Sequence, residues 1–164
     1  MNPEIERLKK IVYECEKHIQ RIDSAALKMG SFMPLNQSRY DRLDEDEVEH
    51  IDQFLFRFLK LQDAIGQKLF KTILRVLKED IENKPFIDIL NRLDKLELIP
   101  DIEAWMALIN IRNSLAHEYE NDSEEISRII NNIYDRRELL KSFFYQIHHF
   151  IVDKQIINHG SRAT

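Results

Sequence analysis

Apolar residues recur three and four positions apart through nearly the whole chain, and little interrupts them. With three glycines and four prolines among 164 residues, there is little material for tight turns, so few and long elements are expected. The first run, Ile5, Leu8, Val12, Cys15, Ile19, Ile22 and Ala26, has the spacing of an amphipathic helix and predicts one ending near Gly30. Residues 31–44 carry Pro34, Asn36 and Ser38 without a sustained period and read as the one long connection. From about Asp46 to Glu79 the stripe Val48, Ile51, Leu55, Phe58, Leu61, Ile65, Leu69, Ile73 and Leu77 predicts a long central helix with Gly66 inside it. Asn83 and Pro85 break it. Phe86, Ile89, Leu90, Leu93 and Leu96 then define a short helix ended near Pro100. Asp101 can cap a fourth helix, reaching to Asn121 and Asp122. A last one follows, with Asp122 and Glu125 resembling a capping box and Ile126, Ile130, Ile133, Leu140, Phe144, Ile147 and Ile151 as its inner face. No strand-like alternation competes. The expected fold is all-α, an up-and-down bundle of about five helices, in a single domain over residues 1–158 with a frayed tail at 159–164.

A chain with 43% hydrophobic and 32% charged residues belongs to the soluble globular class. No stretch approaches the roughly 20 apolar residues that span a bilayer, and the acidic start is unlike a signal peptide. A cytoplasmic protein without a membrane partner is expected. The single cysteine, Cys15, falls among apolar positions and reads as a small core residue in a reducing compartment. A formal net charge of −5 argues against a general nucleic-acid-coating protein, while leaving room for local basic patches.

On a wheel of the fourth helix, Trp105, Leu108, Arg112, Leu115, Ala116 and Tyr119 fall on one apolar side, which places Arg112 inside the buried stripe. A guanidinium cannot shed its charge, so burial demands a carboxylate, carbonyl or phosphate partner. The wheel accommodates both a structural ion pair and a phosphate anchor. Asn113 and His117, four residues apart, would project together as a polar shoulder beside it. Histidine moves protons near neutral pH, asparagine orients a phosphate or hydroxyl, and arginine offsets charge on a phosphorane-like transition state. That set suits RNA cleavage in which the ribose 2′-hydroxyl attacks its own phosphate, a reaction that needs no metal.

The segment Arg112-Asn-Ser-Leu-Ala-His117-Glu-Tyr119 resembles the Arg-x4-His-x-Tyr signature of HEPN domains of the HepT toxin type. Phe58 to Phe70 and Ile87 to Leu96 are similar to that family too, so the likeness covers roughly Asp46 to Val152. The resemblance implies a homodimer with two copies of the motif in one interfacial cleft that cleaves RNA without metal or cofactor. It also implies a partner antitoxin of the MNT nucleotidyltransferase type, which silences the toxin by adenylylating the motif tyrosine. Position by position, Arg112 and His117 become catalytic candidates, Asn113 a supporting residue and Tyr119 the modification site. The rival reading is a non-catalytic subunit that binds the nucleotidyltransferase or its substrate, with Arg112 as phosphate anchor. A third treats the chain as a dimerisation scaffold.

Other groups carry weaker signals. Arg128, Arg136, Arg137 and Lys141 could gather positive charge for an RNA substrate, or simply face solvent. His148 and His149 point about 100° apart and lack ligands at metal spacing, so no metal is expected. Asp44 to Glu47 suits a helix start. The aromatic set Phe54, Phe56, Phe58, Phe70, Phe143, Phe144 and Tyr145 reads as core or interface, with base stacking as the alternative.

Overall fold

A computed structural model describes residues 2–117 and 122–157. Among these residues every regular element is helical, with eight α-helices and one π-helical turn. The elements are α1 (Pro3–Met29), α2 (Gln37–Asp41), α3 (Glu45–Asp63), the π turn (Ala64–Leu69), α4 (Phe70–Val76), α5 (Phe86–Lys95), α6 (Ile102–Leu115), α7 (Ser123–Asp135) and α8 (Arg137–Asp153).

Helix starts follow local chemistry. Asp44 Oδ1 accepts from the Glu47 N–H at 2.8 Å while Glu47 Oε1 accepts from the Asp44 N–H at 3.0 Å, a reciprocal box that satisfies two otherwise orphaned donors. The acidic run Asp44 to Glu47 is thus a helix start, its charge complementing the dipole. Asp101 caps α6 through the Glu103 and Ala104 N–H groups, and Asp122 caps α7 through Glu125.

Four departures from the sequence reading concern where helices bend or stop. The long central helix is interrupted by the π turn at Ala64–Leu69 before resuming as α4. Gly66 lies inside that turn, and a Cβ there would come within 2.8 Å of the Trp105 ring, so the indole packs on bare backbone. The connection after α1 contains α2, whose start is capped by Asn36. The single last helix is two, broken at Arg136 (φ −100°, ψ 8°). Finally, α6 stops at Leu115, with Ala116 closing it, rather than running on to Asn121. The tail beyond residue 157 lies outside the described residues.

α1 packs along α3, the π turn and α4, and touches α8; α6 lies against α5 and α7. One hydrophobic cluster joins all the long helices. At its centre the Trp105 indole is edge-on to Phe70 (centroids 4.8 Å apart) and to Phe143 (5.0 Å). Truncating an indole so enclosed costs about 3–5 kcal/mol. Cys15 is fully buried, and burial pushes its thiol up to about 12, so it is an unreactive core residue. No helix among the described residues is long and apolar enough to cross a membrane.

Candidate functional site around Arg112

Trp105 fixes α6 to the core, and seven residues later Arg112 emerges on the same side of the helix. There it meets Asp63, the last residue of α3, in a direct ion pair. The guanidinium is not inside a buried stripe as the wheel suggested: its side chain is 35% exposed and that of Asp63 29%. The stripe loses its cover towards the end of α6, where Leu115 is half-buried and Ala116 exposed. Arg112 therefore sits at the rim, held by a carboxylate on one side and open to solvent on another. Its place in the last turn also suits the negative end of the helix dipole.

Asn113 is exposed beside it. His117 is exposed as well and lies just past the end of α6, after Ala116, whose φ of −74° and ψ of −16° stay right-handed helical. The Ala116 N–H bonds to the Asn113 carbonyl at 3.1 Å, which tightens the last turn ahead of His117. Tyr119 lies outside the described residues.

Asp63 is the site residue that sequence reasoning missed. It stands within the Phe58 to Phe70 segment, but a carboxylate in the middle of a long helix reads as solvated. Its only signal was the need of Arg112 for an acid.

The four candidate cations of the last two helices have local partners. Lys141 is buried between Asp23 (2.7 Å) and Glu138 (2.8 Å). Burial works to lower its pKa, but hydrogen bonds and charge from those carboxylates outweigh it, and the net shift is upward. Arg128 pairs with Glu125 at 3.0 Å, Arg136 donates to the Asn132 carbonyl, and Arg137 lies 3.9 Å over the Tyr134 ring while donating to its carbonyl. His148 stacks on Phe144 and approaches Glu16. Among the described residues no group of three histidine, cysteine or acidic side chains could hold a metal ion. Of the aromatic set, Phe54, Phe58, Phe70, Phe143 and Phe144 are buried, whereas Phe56 and Tyr145 are exposed.

In comparisons with family models, curated proteins and solved structures, none matches this chain.

Proposed function

We propose that this protein is a metal-independent endoribonuclease of the HEPN toxin type, acting as a homodimer and silenced by a nucleotidyltransferase antitoxin that adenylylates Tyr119. The observation that carries the reading is the Arg112–Asp63 pair at the rim of the core. A guanidinium has five N–H donors in a rigid fork, so one engaged by a carboxylate is oriented and still has donors for a phosphate. A second observation supports the dimer. α6 is largely apolar, yet only Trp105 and Leu108 of its fourteen residues are buried. Helices apolar on several faces are normally covered on several faces.

In this reading the 2′-oxygen of a ribose attacks the adjacent phosphorus. The bond to the 5′-oxygen of the next nucleotide breaks, leaving a 2′,3′-cyclic phosphate and a 5′-hydroxyl. Arg112 offsets the charge that gathers on the phosphorane oxygens. His117 takes the 2′-hydroxyl proton or delivers one to the departing oxygen, the second copy in the dimer supplying the complementary role. Asn113 orients the phosphate. An adenylyl group on Tyr119 adds bulk and negative charge to the motif and repels the substrate. A second reading is a binding subunit that cuts nothing, in which Arg112, oriented by Asp63, anchors a phosphate.

Cleavage of labelled single-stranded RNA in EDTA tests the proposal. Wild type is expected to cut, with Arg112→Ala and His117→Ala each slower by about a hundredfold or more. Equal products from wild type and both folded variants would hand the case to the binding subunit. Full activity of stoichiometrically adenylylated protein would remove the silencing mechanism.

A further inference from the structure

Resting on the ribonuclease reading, we infer that the outward face of α3 carries a nucleotide-binding subsite for single-stranded RNA, in which Phe56 stacks a base and Lys60 binds a phosphate next to the Arg112 site. Phe56 is 52% exposed on a helix whose other phenylalanines, Phe54 and Phe58, are buried. Its ring has the Lys60 Nζ and the Arg57 guanidinium carbon each 5.5 Å from its centroid. Both cations lie over the ring, so a base stacks on it by displacing a cation, which then meets the neighbouring phosphate.

The position of this patch ties it to the motif. At 100° per residue, Phe56, Lys60 and Asp63 fall within about 60° of one another on α3, and Phe56 lies about 10 Å along the axis from Asp63. Asp63 is the residue that holds Arg112. Trp105 meets Gly66 and Arg112 meets Asp63, so α6 advances in the opposite sense to α3. Continuing in that sense leads to Leu115 and His117 on one side and to Lys60 and Phe56 on the other.

Charge favours a polyanion there and limits its extent. The first half of α3 is acidic, with Glu45, Asp46, Glu47, Glu49 and Asp52, while Arg57 and Lys60 are the cations of its second half. Arg57 is partly committed, its guanidinium donating to His18 Nδ1 at 3.1 Å. Lys60 is exposed and enters no ion pair among the described residues. The strand would therefore run from Arg112 over Lys60 and stop at Phe56, where the acidic half begins.

The test is fluorescence anisotropy with a labelled single-stranded RNA, using His117→Ala protein so that the probe survives, with cleavage by the His117-bearing protein followed in parallel. Phe56→Leu is expected to weaken binding about five- to hundredfold with an unchanged salt slope, and Phe56→Tyr to restore it. Lys60→Gln is expected to weaken binding and lower the slope of log K against log salt by about 0.7. Wild-type binding by Phe56→Leu, while the parent cleaves RNA, would overturn the subsite and leave the nuclease reading standing. Loss of binding with conversion of a dimer to a monomer in sedimentation would also overturn it, since the ring would then belong to a protein interface. Absence of both binding and cleavage would overturn the two together.

Discussion

Arg112 and Asp63 show how a charged pair can be worth little to folding and much to a site. Both side chains are about one-third exposed, so solvent screens their attraction and the pair contributes at most about 1 kcal/mol to stability. Asp63→Asn keeps the shape but lets the guanidinium wander. The expected outcome is a urea midpoint close to wild type with single-turnover cleavage at least tenfold slower, roughly 1.4 kcal/mol of lost transition-state stabilisation. A variant that unfolds instead would point to the scaffold reading. Gly66 is the opposite case, a residue whose role is packing. A methyl there meets a rigid indole at 2.8 Å, and Gly66→Ala is expected to lose about 1–3 kcal/mol in urea unfolding. The sequence displayed the conflict at Arg112, a permanent charge in an apolar stripe, but not its resolution. Asp63 lies 49 residues away, and no local pattern links the two.

Among elements, what was legible depended on whether the cause was local. The starts of α3, α6 and α7 could be read because one side chain caps its own helix. The π turn could not, since the Trp105 ring packed on its Gly66 comes from another helix. The break at Arg136 and the early end of α6 have neither glycine nor proline to announce them. The contact of α1 with α3 carries its own pH dependence. His18 is buried between the helices, with Arg57 donating to Nδ1 at 3.1 Å and Glu14 3.4 Å from Nε2. Burial lowers its pKa, opposed by Glu14 and aided by the charges of Arg57 and Lys60. The folded form therefore prefers neutral His18. Its contribution is complete above the ordinary histidine value of about 6.5 and declines as pH falls below it, because the unfolded chain takes up the proton first. The urea midpoint is expected to drop between about pH 7 and pH 5, and His18→Gln to flatten that slope. An unchanged slope would place the acid sensitivity elsewhere.

At the scale of the whole molecule, a net charge of −5 means that an RNA substrate must find positive charge concentrated in one place. The last two helices do not supply it, since Lys141 and its arginine neighbours are engaged locally. The reading places it at Arg112 and, in a dimer, at a second copy of that residue. Met106, 40% exposed, and Asn113 lie one heptad apart on the outward face of α6. In the proposed dimer, where this face meets the second copy, Met106→Glu would bring a charge into the contact. It is expected to weaken the dimer tenfold or more, about 1.4 kcal/mol, and to abolish cleavage at concentrations where only monomer sediments. A monomeric variant that cuts at the wild-type rate would confine the site to one chain. The most direct measurement of the central claim is end-group analysis of products from an RNA oligonucleotide and its 2′-O-methyl counterpart, both incubated with wild-type protein in EDTA. The account expects 2′,3′-cyclic phosphate and 5′-hydroxyl ends from the RNA and no cleavage of the 2′-O-methyl strand. Cleavage of both strands, or of neither, would contradict it.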